Sequence, residues 1–276
     1  MRFRALSLLA FGIVAFSVSS PVPAADLAVD LELVLAVDVS GSIDPGEAVL
    51  QRQGYLAALT SPEVIAAITG GPHGRVALSY VEWAGITWLG AEQNRVVAGW
   101  HLVDGEASAR IFAQKIAAAD FIGGRRTSIS GVIRYAMPMF EDNGFDGTRQ
   151  VIDISGDGPN NNGDPVLLAR QDAIMAGIGI NGLAILNDGP GPLGYPVLED
   201  LDIYYEECVI AGPGAFVLVA EGLADFERAI RRKLVLEIAR MVPPAATSPV
   251  RRVSGYDCQI GERQLQDWLR NNPFDQ

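Results

Sequence analysis

Apolar runs and segments with helical spacing alternate along the chain. The apolar runs are short and bounded by turn residues, which is typical of strands buried in a parallel sheet. Strands are predicted at 31–38, 75–83, 96–103, 150–155, 180–186 and 215–220, and helices at 45–59, 62–68, 107–119, 128–140, 164–175, 197–207 and 223–240. This order predicts an α/β domain with a doubly wound, mostly parallel sheet and helices on both faces.

Some parts of the pattern allow more than one structure. Residues 86–89 either form a short edge strand or continue a hairpin, and residues 96–103 fit a strand or a helix, with a strand favoured. Pro138 is expected to bend or end the helix that contains it, because proline lacks an amide donor. Asp44 and Asp164 each precede a proline, an arrangement that is typical of a capped helix start.

The first 25 residues have the composition of an export signal. Arg2 and Arg4 form a short basic region, an apolar core follows over 6–18, and small residues over 22–25 suit cleavage. The core is shorter than the about 20 residues that span a membrane, although an uncleaved anchor is the alternative. We therefore predict residues 1–25 as a signal peptide, with no later membrane span and a periplasmic or secreted mature protein.

A stretch rich in Pro, Ala and Ser separates the main domain from a short tail. We predict one large α/β domain over 26–241, long enough for a large buried core, and a linker and tail over 242–276. In the tail, four apolar residues can line one side of a short helix: Ile260, Leu265, Trp268 and Leu269. Such a helix either packs on the domain or docks a partner, and packing is the favoured interpretation.

The balance of charge narrows the choice of partners. The chain carries a formal charge of −12, and loss of Arg2 and Arg4 with the signal peptide makes it two units more negative. This surplus argues against nucleic acid or anionic lipid as a partner. It fits the attraction of divalent cations, although an excess of acidic residues also serves solubility alone.

The chain has two cysteines, Cys208 and Cys258. In the oxidising compartment that the signal peptide implies, such a pair is expected to form a disulfide that ties the tail to the domain. Two separate buried thiols are the alternative. A structural zinc site with sulfur ligands is excluded, since it would need more cysteines.

Oxygen-bearing side chains cluster after the first strand. Asp38, Ser40 and Ser42 are spaced two apart, so a looping backbone can turn all three the same way. The carboxyl ends of strands are where ligands bind in open α/β sheets. One carboxylate and two hydroxyls suit Mg²⁺, Mn²⁺ or Ca²⁺. The alternative is a polar turn in which Asp38 caps the helix and the serines bond loop amides.

The D-x-S-x-S pattern at a strand-to-helix junction resembles the metal-ion-dependent adhesion site of von Willebrand factor A (VWA) domains. The resemblance covers roughly residues 30–240 and implies two more ligands from later loops, for which Thr127 and Asp157 stand in the matching order. More closely, the chain resembles a family of exported bacterial VWA-like proteins of unassigned function. It departs from the wider VWA pattern at Arg125 and Arg126, where small residues are usual.

The resemblance implies a cation site and a type of partner. Its ligands would be Asp38, Ser40, Ser42, Thr127 and Asp157. The three hydroxyls would bind the ion directly and one or both carboxylates through water, with Mg²⁺ favoured over Mn²⁺ or Ca²⁺. In VWA domains such an ion captures a Glu or Asp carboxylate of a partner protein, so the resemblance implies a protein partner of this kind.

Motifs for common enzyme mechanisms do not occur in the sequence. It has no G-x-S-x-G nucleophile elbow, no phosphate-binding G-x-x-x-x-G-K-[ST] loop and no H-E-x-x-H zinc motif. The two histidines, His73 and His101, lie in loop-like or ambiguous contexts. We therefore expect a non-enzymatic binding module, and a metal-assisted hydrolase that uses the same cation site is the alternative.

Overall fold

The structure, a computed structural model, describes residues 25–43, 45–186, 195–241 and 255–272. The predicted signal peptide, apart from Ala25, and the predicted linker over 242–254 lie outside the described residues, as does the predicted helix cap Asp44. Across the described ranges, no helix is both long and apolar enough to cross a membrane.

Eight strands and eight α-helices alternate within the described residues. The strands are β1 (Leu27–Val29), β2 (Glu32–Asp38), β3 (Val76–Ile86), β4 (Glu92–Val103), β5 (Phe145–Gly147), β6 (Gln150–Gly156), β7 (Gly179–Leu186) and β8 (Val217–Glu221). The helices are α1 (Pro45–Leu59), α2 (Pro62–Thr69), α3 (Glu106–Ala117), α4 (Ile129–Ala136), α5 (Val166–Met175), α6 (Leu201–Tyr204), α7 (Leu223–Ile238) and α8 (Ile260–Asn271).

Six of the strands form one sheet in the order β4-β3-β2-β6-β7-β8. Only β4 runs antiparallel, as the second arm of a hairpin with β3. The other neighbours pair in parallel, and β1 and β5 form a separate two-stranded parallel sheet. The predicted fold class is confirmed: the sheet is mostly parallel and β2, which carries the D-x-S-x-S motif, lies at its centre.

The two faces of the sheet are covered by different helices. Alternate residues of β2 point to opposite sides, so Leu33 and Leu35 join one core cluster while Val34 and Ala36 join the other. The first cluster is completed by α1, α2, α3 and α7, and the second by α4, α5 and α6. Burial on both faces explains why β2 is almost continuously apolar.

The ambiguous segments take one structure each. β3 continues to Ile86 and a tight turn leads into β4, so residues 86–89 continue a hairpin and 96–103 is a strand. The α-helical part of 128–140 ends at Ala136, and Pro138 lies in the 3₁₀ turn that follows, as predicted. Loss of an amide donor at Pro138 explains this ending.

Two predicted helices differ in detail from the structure. The bounds expected for the helix over 197–207 are wrong: α6 has four residues and is followed by a π-helical turn, Tyr205–Val209. Adjacent Tyr204 and Tyr205, where the two helical forms meet, are both buried. The cap predicted at Asp164 is also wrong, because α5 begins after Pro165 and the Asp164 carboxylate pairs with Arg134.

The tail packs on the domain. Cys208 and Cys258 form the predicted disulfide, with their Cα atoms 5.5 Å apart. The four apolar residues predicted to line one side of α8 are all partly buried, and the Trp268 ring lies 5.8 Å from the Tyr195 ring. The favoured interpretation of the tail, a packed element, therefore agrees with the contacts of α8.

Candidate functional site

The predicted ligands lie at the carboxyl edge of the two central strands. β2 and β6 pair in parallel, with Val37 beside Ser155, so the loops that leave them start next to each other. The first loop carries Asp38, Ser40 and Ser42, and the second carries Asp157. Tertiary pairing thus brings together two motifs that are more than a hundred residues apart in the sequence.

Hydrogen bonds join four of the five predicted ligands. The Ser40 amide donates to Asp38 Oδ1 at 2.7 Å, and the Ser40 and Ser42 hydroxyl oxygens lie 3.2 Å apart. The Ser42 hydroxyl donates to Asp157 Oδ1 at 2.7 Å. Hydrogen bonds therefore link one carboxylate to the other through the Ser40 amide and the two serine hydroxyls, and both Asp38 and Ser40 are buried.

Thr127 joins the site through the loop that follows Asp157. Its carbonyl accepts the amides of Asn161 and Asn162 at 2.8 and 3.1 Å, and its own amide donates to Asn161 Oδ1 at 2.8 Å. The Thr127 hydroxyl lies 3.6 Å from the point where a Cβ on Gly158 would stand, next in sequence to Asp157. The Thr127 side chain is buried beside the loop that carries Asp157, and its hydroxyl is the fifth predicted oxygen ligand.

The electrostatics of the pair of carboxylates favour a bound cation. Burial raises the pKa of the Asp38 carboxyl well above its usual value, and the nearby Asp157 carboxylate raises it further. Hydrogen bonds from Ser40 and from the Asp157 amide oppose this rise in pKa. Asp38 Oδ2 is buried with no hydrogen-bond partner among the described residues, so one buried carboxylate oxygen has no donor to compensate its charge.

These oxygens fit a hard divalent cation. Two carboxylates balance the charge of one such ion, and hydroxyl oxygens are neutral ligands of the kind that Mg²⁺ and Ca²⁺ accept. Among the residues the structure describes, no cluster of three or more His, Cys, Asp or Glu side chains could hold a metal. A site here therefore depends on the serine and threonine hydroxyls as well as on Asp38 and Asp157.

The two histidines lie away from this edge. The His73 amide donates to the Asp30 carboxylate, which precedes β2 at the opposite end of the strand. His101 lies on β4, where its ring stacks on Phe112 and contacts the Ser108 carbonyl. Neither imidazole is placed to act as a base beside Asp38.

A tyrosine that sequence reasoning missed lies under the site. A Cβ on Gly156 would stand 2.8 Å from the Tyr205 hydroxyl and 2.9 Å from Asp38 Oδ2, so both oxygens border the space that this glycine leaves free. The Tyr205 hydroxyl is buried and has no hydrogen-bond partner in the described part of the chain. The π-helical turn that aims it inward has no recognisable sequence signal.

Replacing Tyr205 by Phe tests whether this hydroxyl is unsatisfied. We expect Tyr205→Phe to raise the free energy of unfolding of the metal-free protein by about 1 kcal/mol, because it removes an unpaired buried polar group and keeps the ring. Tyr204→Phe is the matched control: its hydroxyl accepts the Asn160 amide at 3.1 Å, so its loss should cost about 1 kcal/mol. Urea unfolding in EDTA measures both, and a destabilised Tyr205→Phe would contradict the expectation.

The tail supports the loop behind Asp157. Asn160 is fully buried; its side-chain amide donates to Glu262 Oε1 at 2.8 Å and its side-chain carbonyl accepts the Ser130 amide at 3.0 Å. A Cβ on Gly261 would overlap the Asn160 carbonyl, so α8 lies directly on this loop. Sequence reasoning predicted that α8 packs on the domain but gave no sign of where, since nothing local to Glu262 indicates Asn160.

The basic pair lies at the rim, as predicted. Arg125 exchanges two backbone hydrogen bonds with Ile86 at the end of β3, and the Arg126 carbonyl accepts the Gly85 amide. Both side chains are partly exposed. The Arg125 guanidinium carbon lies 5.8 Å from the centre of the Trp88 ring, which is close enough for a cation–π contact.

Several solved structures share this fold. Proximal thread matrix protein 1 from the mussel byssus matches with a TM-score of 0.55 and 13% identity, over 78% of this chain and 48% of that chain. The pilus adhesin SpaC from Lactobacillus rhamnosus GG matches with a TM-score of 0.55 and 15% identity, over 78% and 31%. A von Willebrand factor type A protein from Catenulispora acidiphila matches with a TM-score of 0.51 and 13% identity, over 76% and 43%.

These matches show the fold alone. The chain spans between about a third and about half of the length of these proteins. One further structure of the mussel protein has a zinc-occupied MIDAS motif; it matches with a TM-score of 0.51 and 16% identity, over 78% of this chain and 47% of that chain. The domain described here has the VWA fold, and the resemblance drawn from the D-x-S-x-S motif is confirmed at that level.

No curated protein sequence matches the chain. A family model described as "Protein of unknown function (DUF1194)" matches residues 28–242, which is most of the chain and all of the central sheet. The chain belongs to this family, and its domain has the VWA fold.

Proposed function

We propose that this protein is an exported binding module that captures an acidic group of a partner protein through a divalent cation. The proposed ligands are Asp38, Ser40, Ser42, Thr127 and Asp157. The observation that carries the proposal is the buried Asp38 Oδ2 atom, which has no hydrogen-bond partner among the described residues, in a carboxylate that Ser40 and Ser42 link to Asp157. When bound, the cation supplies positive charge that balances two carboxylates and leaves a position for an outside oxygen.

Mg²⁺ is the ion that we propose first, with Mn²⁺ and Ca²⁺ next. The donor atoms are all oxygens, which such hard cations prefer. The zinc-occupied motif of the mussel protein supports a divalent cation on this fold. Because three of the five proposed ligands are neutral hydroxyls, the site keeps an affinity for an anionic oxygen such as a carboxylate.

Export and domain organisation are part of the proposal. We propose that residues 1–25 direct export, that 26–241 form the binding domain, and that 242–276 are a linker and tail held back by the disulfide. The disulfide supports an oxidising compartment, periplasmic or extracellular, since cytosolic thiols are kept reduced. The adhesin and matrix proteins that share the fold support a protein partner.

Thermal melts with and without cations test the metal site. A cation that binds only the folded state at 100 times its Kd adds about 2.7 kcal/mol to the free energy of unfolding. We expect this gain with Mg²⁺ in the wild type and none in Asp38→Asn. Asp146→Asn, at an exposed carboxylate of β5, is the control and should keep the full gain.

A second prediction concerns the stability of the metal-free Asp38→Asn variant, measured in EDTA. Asp38→Asn keeps an oxygen for the Ser40 amide and removes a buried charge that Asp157 repels. The metal-free variant should therefore be at least as stable as the metal-free wild type. An equal cation shift in the wild type and Asp38→Asn would overturn the proposed site.

A further inference from the structure

The hairpin between β3 and β4 presents apolar side chains close to the proposed cation site. Trp88 is 69% exposed and Leu89 is 98% exposed. Hydrogen bonds close the turn that carries them: the Thr87 amide donates to the Ala91 carbonyl at 2.6 Å, and the Thr87 hydroxyl accepts the amides of Leu89 and Ala91. Two large apolar side chains are thus held in solvent by a structured turn.

This turn is tied to the loops that carry the proposed ligands. Ile86 exchanges two backbone hydrogen bonds with Arg125, two residues before Thr127. The Gly124 amide donates to the Val39 carbonyl at 2.9 Å, next in sequence to Asp38. The hairpin tip, the basic pair and the D-x-S-x-S loop therefore form one continuous backbone framework, and the tip cannot move independently of the site.

Two arginines lie at this rim without ion-pair partners. Within the described residues, neither Arg125 nor Arg126 has a carboxylate within ion-pair distance, unlike Arg52, Arg95 and Arg134. Arg126 has a left-handed backbone (φ 60°), which side-chain-bearing residues seldom adopt. A chain with a net charge of −12 thus places two unpaired positive side chains between its cation site and an exposed tryptophan.

We propose that Trp88, Leu89, Arg125 and Arg126, the hairpin-tip surface, bind the partner segment that flanks the captured carboxylate. The inference rests on the proposed function and adds the chemistry of the partner. The segment is acidic, so its further carboxylates meet the two arginines, and it carries a large apolar residue that packs on Trp88 and Leu89. Charge complementarity favours this occupant, because the rim is basic on an otherwise acidic protein.

The sheet register sets the spacing of that segment. Asp38 at the end of β2 pairs with Trp83 on the neighbouring strand β3. Trp88 follows Trp83 by five positions and lies in the turn after β3. β3 continues from Trp83 to Ile86 before that turn, which at about 3.3 Å per residue is about 10 Å. An extended partner segment needs about three residues to cover this strand alone, so the apolar residue should lie several positions from the carboxylate that binds the cation.

Selection from a random peptide library displayed on phage tests this inference. The library is bound to the immobilised full chain in Mg²⁺ and eluted with EDTA. We expect the eluted peptides to carry an Asp or Glu and, several positions away, a large apolar residue. A synthetic peptide of the enriched sequence should bind Trp88→Ser/Leu89→Ser about tenfold or more weakly than wild type, because burying one such side chain contributes about 1.5–3 kcal/mol.

Matched variants separate this surface from a general loss of apolar area. Ile174→Ser/Met175→Ser changes two exposed apolar residues at the end of α5, which leads back to the amino edge of the sheet, and should leave peptide affinity unchanged. Arg125→Gln should weaken binding several-fold, and added salt should reduce the difference between this variant and wild type. All variants should keep the Mg²⁺ shift in the thermal melt, since none of these residues is a proposed ligand.

Each contrary outcome has a separate meaning. Mg²⁺-dependent peptides that bind Trp88→Ser/Leu89→Ser as tightly as wild type would overturn the inference and leave the proposed function intact. A library without any EDTA-eluted peptide would overturn acidic-group capture and the inference with it. Cation-independent binding to phosphatidylcholine vesicles that needs Trp88 and Leu89 would show instead that the hairpin tip is a lipid contact.

Discussion

Replacing Lys233 by Met is expected to lower the free energy of unfolding by about 3–5 kcal/mol, because it leaves buried carboxylates without their cation. Lys233 lies on α7 with no exposed surface, and its ammonium group pairs with Asp153 on β6 and with Glu237 at 3.4 Å. Glu237 also accepts the Asn181 amide at 2.7 Å. Lys233, Asp153, Glu237 and Asn181 thus form a buried polar cluster against β6, the strand that leads to Asp157.

Urea unfolding at neutral pH measures this loss, and Lys115→Met is the control because that side chain is exposed on α3. The control should change the free energy of unfolding by less than about 0.5 kcal/mol. A loss below about 1 kcal/mol for Lys233→Met would show that the two carboxylates are neutralised or hydrated without the lysine.

The contribution of this polar cluster to the free energy of unfolding depends on pH, and the sign of that dependence follows from the pKa of Asp153. The pKa of Asp153 is raised to about 7, chiefly by burial, while Lys233 opposes the rise and Glu237 adds to it. Because the pKa is higher in the folded than in the unfolded chain, the contribution of Asp153 to stability is greatest at low pH and declines as the pH rises to about 7. Lys233→Met should therefore be destabilised more at pH 7 than at pH 5, and adding Asp153→Asn should flatten that difference.

Removing the disulfide is the second change with a large expected effect. The bond closes a loop with a sequence separation of 50, for which the chain-entropy model gives a stabilisation of about 4 kcal/mol. Cys208→Ala/Cys258→Ala should lose a comparable amount in urea unfolding. Dithiothreitol should destabilise the wild type and leave the variant unchanged, since the chain has only these two cysteines.

Loss of the disulfide should also release the tail from the loop behind Asp157. Cys258 precedes α8, whose Glu262 bonds the buried Asn160 side chain. We expect limited proteolysis to remove the tail from the reduced protein before the domain is cut, and the affinity for Mg²⁺ to fall modestly. An unchanged proteolysis pattern after reduction would show that the contacts of α8 hold the tail without the covalent link.

Local sequence signals explain most of the elements that the structure contains. The run before Asp38 is apolar because β2 is buried on both faces, and that pattern alone marks it as a parallel strand. Pro138 ends a helix through its own covalent structure. By contrast, the bounds predicted for the helix over 197–207 were wrong, because no local signal indicates that it begins at Leu201 and passes into a π-helical turn at Tyr205.

The residues of the proposed site could be named from the sequence, while their association was implied only by the resemblance to VWA domains. Asp38, Ser40 and Ser42 are neighbours in the chain, so their clustering is a local property of one loop. The contact between Ser42 and Asp157, the close approach of Tyr205 to Asp38, and the hold of Glu262 on Asn160 all depend on which strands pair and where the tail docks.

The sequence by itself determined the alternation of strands and helices, the hard-oxygen motif after β2 and the pair of cysteines, because each is a pattern within a short stretch of chain. Only the tertiary structure decided that β2 lies beside β6 and that an exposed tryptophan and two arginines border the same edge. It also decided that, within the described part of the chain, one buried oxygen of Asp38 has no hydrogen-bond partner. The physical reason is that strand order and burial arise from packing between distant segments, which no local pattern encodes.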